Sequence, residues 1–171
     1  MTSAPAGRLP EYLRWIKDGS PEDLDDETAA QQWAAAVAYI ETGPPATLAT
    51  INRDGRPQQS VVWVGVEDGR LVIAHTLEYL KVKNMRRDPR VSVSFASGSV
   101  NSIGIYEYLV IEGLAEVTVG GARSLLERLS KIYIPAGGQS PPVQELDDGW
   151  VTRITPTRIR GWGPWQRANP M

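Results

Sequence analysis

The chain has 171 residues, 42% hydrophobic and 22% charged, with a formal net charge of −2. That is enough chain for one domain with a real core, and too little positive charge for a general nucleic-acid footprint. It has no cysteine, which excludes disulfides, Cys-based zinc sites and a thiol nucleophile, and fits a reducing compartment.

Residues 1 to about 25 are rich in Pro, Gly and acids and read as an arm, which Tyr12, Leu13, Trp15 and Ile16 could dock. They lack the basic-then-apolar order of a secretory signal. Nor does any apolar run approach the roughly 20 residues that span a bilayer, so no membrane association is expected and the expected location is the cytoplasm. Glu27 to Ile40 reads as a helix, capped by Asp25 or Asp26, with Trp33, Val37 and Ile40 toward a core. Gly43-Pro44-Pro45 ends it. The arm and helix form an extension over residues 1–40, ahead of a domain over 41–165 and a tail over 166–171.

From there β-structure dominates. Ala46 to Ile51 is a strand, Asn52-Arg53-Asp54-Gly55 is a hairpin turn, and Gln58 to Val66 is the return strand. Glu67-Asp68-Gly69 leads into a strand over Leu71 to His75. Glu78 to Arg87 is a short helix stopped by Asp88-Pro89. Val91 to Phe95 is a strand, and Ile103 to Val119 is a long one with a kink at Gly113. Ala122 to Ile132 is a helix, and Pro135 to Pro142 is a loop near a functional mouth. Trp150 to Ile159 is the last strand, before Gly161-Trp162-Gly163-Pro164-Trp165. Six strands with helices only as crossovers predict a mainly β fold, a small antiparallel barrel, closed or split.

The residues exclude several chemistries. The single histidine, His75, cannot serve a Ser-His-Asp triad without the rest of that constellation, and one His makes zinc or non-haem iron improbable. No phosphate-loop or dinucleotide-fold glycine pattern is present. Glu145, Asp147 and Asp148 read as a solvated turn beside Gly149. What remains is binding chemistry. Lys81, Lys83, Arg86, Arg87 and Arg90 sit on one short helix and the turn after it, directly after a strand end at His75 and Thr76. A phosphate held there meets lysine charge and free helix N–H groups. A solvated basic face is the competing reading. Gln59 and Ser60 could hydrogen-bond the edge of a flat heterocycle, or simply follow inside-outside alternation. Trp162 and Trp165 fit a sealed barrel end as well as a stacking role.

Ala46-Thr47-Leu48-Ala49-Thr50-Ile51-Asn52-Arg53-Asp54-Gly55-Arg56-Pro57-Gln58, then Val61 to Trp63, Asp68-Gly69-Arg70, His75-Thr76, Lys81, Lys83-Asn84 and Arg87-Asp88-Pro89-Arg90-Val91 resemble the pyridoxamine 5'-phosphate oxidase-like split-barrel flavoproteins. Within that superfamily they look like the actinobacterial branch that uses the deazaflavin coenzyme F420. The resemblance covers roughly residues 40–165. It implies a six-stranded antiparallel split β-barrel and a homodimer with two cofactor sites at its interface. By position it places Gln59, Ser60, Val61 and Val62 along the ring system, His75 and Thr76 by the phosphate, and Lys81 as the basic anchor. Lys83 and Arg87 would assist the phosphate or an acidic tail, and Trp162 or Trp165 would come from the partner subunit. The chain departs from the family in having His75 where Ser or Thr is common. It also has no histidine after His75, so it lacks the C-terminal Arg-x-His substrate motif.

The resemblance therefore implies an oxidoreductase that passes hydride between F420 and a small-molecule organic acceptor. FMN in the same fold is the alternative, and a non-enzymatic ligand carrier is the second. The proton donor stays open among water, Tyr106, Tyr108 and none.

Overall fold

The computed structural model describes residues 26–136, 138 and 148–165. The expected arm, with Tyr12 to Ile16, lies outside them, as do Glu145, Asp147 and most of the Pro135–Pro142 loop. In chain order the elements are α1 (Asp26–Ile40), β1 (Ala46–Ile51), β2 (Pro57–Val62), β3 (Gly65–Glu67), β4 (Arg70–His75), α2 (Leu80–Arg87), β5 (Arg90–Val100), β6 (Tyr106–Val119), α3 (Ala122–Tyr133) and β7 (Trp150–Trp162).

The strands form one antiparallel sheet in the order β2-β1-β5-β6-β7-β4-β3. Its two edge strands are joined by only Trp63 and Val64. Three Cα steps reach about 11 Å at most. Seven strands laid flat at about 4.8 Å spacing would put the edges roughly 29 Å apart. The sheet must therefore curl until its edges meet at that corner, but no strand pair closes it.

The expected single strand from Gln58 to Val66 is thus two strands, which makes seven and not six. Continuing the register would set Pro45 and Pro44, which have no N–H, opposite Trp63 and Val64, and α3 takes up the backbone groups left over there. The Tyr133 hydroxyl accepts from the Val64 N–H at 3.1 Å and lies 3.0 Å from the Val64 carbonyl oxygen. Trp63 stacks on the Tyr133 ring at 5.4 Å between centroids. Backbone groups that would continue the β1–β2 ladder are diverted to a side chain, and the strand breaks there.

Other boundaries move less. β5 and β7 each run longer than expected, to Val100 and Trp162, and β6 begins at Tyr106 because residues 101–105 form the hairpin turn. α2 starts two residues later than expected, and the freed Glu78 pairs with Arg86 at 2.6 Å. The Asn52–Gly55 turn is as expected, with Asn52 N–H donating to Arg56 O at 2.8 Å. The kink at Gly113 is a bulge. Glu112 faces Arg158 while Gly113 faces Pro156, so Thr157 is the extra residue on β7. A Cβ on Gly113 would lie 2.5 Å from the Thr155 carbonyl oxygen, so only glycine fits the close approach.

The inner face of the sheet buries Leu48, Leu71, Ile73, Val93, Phe95, Leu109, Ile111 and Ile154. α1 adds Trp33, Ala36 and Ile40 to this core, with Val37 only partly buried at the margin of the stripe. α2 adds Met85. Trp165 closes the core, its indole N–H donating to Tyr108 O at 2.9 Å and its ring 4.9 Å from Tyr39. α3 covers part of the outer face, packing Leu125 and Leu129 on Val72 and Val151. Among the described residues nothing covers the outer face of β2, β1, β5 and β6, where Val61 is 76% and Tyr108 42% exposed.

Candidate functional site

The site is built where β4 ends and α2 begins. β4 is buried along its length, so His75 at its end is carried inside, 2% exposed. Its Nε2 lies 2.8 Å from Thr152 Oγ1 on the neighbouring β7, and its Nδ1 has no partner. Burial pushes the imidazole down to about 4, and the nearby Lys81 charge adds to the effect, so His75 is neutral at ordinary pH.

Thr76 follows, half-buried, with its hydroxyl 3.2 Å from the Tyr79 hydroxyl. Tyr79 is the N-cap of α2 in an extended conformation, and no side chain caps the helix there. The Leu80 and Lys81 N–H groups therefore keep their capacity for an acceptor, while that of Val82 donates to the Tyr79 carbonyl oxygen at 2.9 Å. Lys81 lies in that turn, half-buried, its Nζ 4.6 Å above the Tyr79 ring. Burial lowers its ammonium below the usual lysine value. Two hydroxyls, one partly desolvated ammonium and an uncapped helix start thus converge within six residues. That donor set matches a phosphate group, which offers acceptor oxygens and negative charge.

The remaining basic residues are placed differently. Lys83 is exposed and two residues on from Lys81, about 200° around the helix. Arg87 lies about 9 Å further along the axis. Its guanidinium donates to the Ile51 carbonyl oxygen and, at 3.3 Å, to Asn84 Oδ1. Arg86 is paired with Glu78, and Arg90 with Asp88 at 2.7 Å.

The four candidate ring-lining residues lie on β2. Alternation divides them, with Gln59 and Val61 exposed on the outer face and Ser60 and Val62 turned inward. β2 is an edge strand, so alternate N–H and C=O groups face away from β1 and can bond a planar heterocycle. Trp162 ends β7 opposite Tyr108, part-exposed, while Trp165 is a core plug.

Sequence reasoning missed Tyr79 and a buried polar group around Asn84. Asn84 is fully buried although it lies about 160° around α2 from Val82 and outside the apolar stripe of Val82 and Met85, so periodicity gave no signal for it.

A family model described as "Pyridoxamine 5'-phosphate oxidase" matches residues 33–163. The chain belongs to that family. The conserved hypothetical protein Rv2991 from Mycobacterium tuberculosis is 28% identical over 75% of this chain and 82% of its own, with a TM-score of 0.60. An F420 reductase is 23% identical over 72% of this chain and 94% of its own, TM-score 0.58. General Stress Protein 26 from Bacillus anthracis is 19% identical over 73% and 89%, TM-score 0.50. The last two share the fold.

This family member has no group of three or more His, Cys, Asp or Glu poised for a metal among its described residues. No helix of the described residues is long and apolar enough to cross a membrane.

Proposed function

We propose that this chain is an oxidoreductase that binds coenzyme F420 and transfers hydride between it and a small organic acceptor, as a homodimer. The observation that carries the cofactor site is the corner at Thr76, Tyr79 and Lys81, with its uncapped helix start. The residues fit a phosphorylated ring cofactor. Lys81, Thr76 and the first-turn amides of α2 would hold the phosphate, and the open edge of β2 near Gln59 and Ser60 would hold the ring. Val61 and Val62 would flank the ring, and His75 would support the corner from below through Thr152. The cofactor supplies the hydride chemistry when bound, and the protein orients it and excludes water.

The homodimer is supported by the uncovered outer face. Val61, Tyr106 and Tyr108 are 76%, 69% and 42% exposed on or beside it, and a groove of about 420 Å³ runs over the Gly113 bulge. An apolar sheet face of this kind favours a twofold, self-complementary contact. Trp162 would then lie near the partner's cofactor.

F420 is preferred because Lys81 and Lys83 leave positive charge at the helix for an acidic tail, and because an F420 reductase shares the fold. FMN is the second reading, and one observation favours it. Arg86, Arg87 and Arg90 are each engaged within the protein, which leaves fewer cations for a tail than the sequence promises. Side-by-side titration of the apoprotein with both cofactors, at low and high salt, decides between them. F420 should bind tighter at low salt and lose more affinity as salt rises, since exposed charges are screened over about 8 Å at physiological ionic strength. Tighter FMN binding under both conditions replaces F420 with FMN. Binding of either without turnover of any acceptor supports the carrier reading.

A further inference from the structure

A chain of hydrogen bonds runs through the protein from α2 to β2. The Asn84 amide nitrogen donates to Thr50 Oγ1 at 3.0 Å and to Asn52 Oδ1 at 2.9 Å. Thr50 Oγ1 donates onward to Gln58 Oε1 at 2.8 Å. The Gln58 amide nitrogen donates to Ser60 Oγ and to the Gln59 carbonyl oxygen, both at 2.7 Å. Each group that accepts also donates to the next, so the bonds polarise one another in one direction. Asn84 and Thr50 are 0% and 1% exposed.

Stability alone gives no reason for this chain. Position 84 is fully buried, and buried polar groups are often replaceable by apolar ones at no loss. What apolar packing does not supply is direction. Helix α2 could slide or rotate slightly over β1 with its apolar contacts kept. Two directed bonds from a single buried amide, to Thr50 on β1 and to Asn52 in the turn after it, fix both the rotation and the height of the helix, and Arg87 on the same helix adds a tie to the Ile51 carbonyl oxygen.

The ends of the chain are the two halves of the proposed cofactor site. Asn84 is three residues after Lys81, about 4.5 Å along the same helix. Ser60 and Gln59 are on the edge strand offered to the ring. We infer that Asn84 is a positioning residue, which through Thr50 and Gln58 fixes the spacing between the phosphate corner on α2 and the ring-binding edge of β2. The inference rests on the proposed cofactor site. A ligand that bridges two subsites gains from their fixed spacing, because binding at one end presents the other end at high effective concentration. Loosening the spacing removes that gain and leaves each subsite intact.

The test is a double-mutant cycle on cofactor affinity with the full-length chain, titrated with F420 and with FMN by fluorescence, well below each variant's melting temperature. Asn84→Ala and Thr50→Val should each weaken binding about 10-fold, and Thr50→Ser, which keeps the hydroxyl, should restore wild-type affinity. In a Lys81→Ala background, where the phosphate end is already lost, Asn84→Ala should weaken binding less than about 2-fold. An effect of equal size in both backgrounds means that Asn84 is merely structural and overturns the inference, as does wild-type affinity in Asn84→Ala. Thr50→Val carries the same test if Asn84→Ala does not fold, with wild-type affinity or an equal effect in the Lys81→Ala background overturning the inference. If the wild-type chain binds neither cofactor, the proposed site fails and the inference fails with it. If it binds and only the cycle fails, the site stands without the positioning role.

Discussion

His75 should make the apoprotein acid-sensitive by an amount that can be worked out. Its folded-state value lies at about 4, against the usual 6.5, because burial disfavours the imidazolium and the Lys81 charge adds to that. Between those values the unfolded chain binds a proton that the folded chain does not, so stability falls as pH falls through this window. The difference of about 2.5 units, at about 1.36 kcal/mol per unit, amounts to roughly 3 kcal/mol of stability present above pH 6.5 and lost by about pH 4. The assay is urea unfolding of the cofactor-free protein from pH 7 to pH 4, compared with His75→Gln. Cofactor must be absent, because a bound phosphate would favour the imidazolium. The variant loses the 2.8 Å contact with Thr152 at every pH, so its absolute stability drops and only the slope is informative. The wild type should lose about 3 kcal/mol more than the variant across the window. Parallel curves would refute the reading of His75 as a buried neutral base.

Lys81→Ala should weaken binding of the phosphorylated cofactor by about 1.5–3 kcal/mol, the range for a hydrogen bond to a charged group, and fluorescence titration that returns wild-type affinity removes Lys81 from the site. Tyr133→Phe should destabilise the protein by about 1–3 kcal/mol, since it strands the Val64 N–H beside α3, and this is read from urea midpoints at constant slope. The wild-type chain should run as the proposed dimer in light scattering, and Val61→Asp, on the outer sheet face, should run as a monomer with an unchanged far-UV spectrum; a monomeric wild type refutes the dimer, and a dimeric variant means that this face is not the interface.

The sequence exposed those parts of the fold that short-range chemistry controls. The Asn52–Gly55 hairpin, the stop at Asp88-Pro89 and the kink at Gly113 are each decided by a few residues whose backbone preferences are strong, and each stands where expected. His75, Thr76 and Lys81, which form the corner proposed for a phosphate, are also close in the chain. The split of the second strand was only partly legible, from Gly65 within it and from Pro44-Pro45, which lack an N–H and would lie opposite Trp63 and Val64. The Tyr133 hydroxyl that takes up the Val64 backbone is 69 residues away in the chain.

The charges of α2 carry the same lesson to the site. Five basic residues near one another in sequence read as one positive surface, but a helix distributes them by angle and a fold assigns them partners. Arg86 goes to Glu78, Arg90 to Asp88, and Arg87 to the Ile51 carbonyl oxygen and Asn84. Arg87 thus works toward the β1–β2 turn, on the same amide that ties α2 to Thr50. Lys81 differs from these three in being half-buried and aligned with a hydroxyl pair at an uncapped helix start. Counting cations therefore overstates the attraction for a long acidic tail, whereas the geometry at Lys81 concerns a single phosphate. F420 and FMN both carry a phosphate, so the corner as proposed would accept either. The choice between them depends on what Lys83 and the outer surface of α2 add beyond the phosphate, and that contribution is the one that salt will screen.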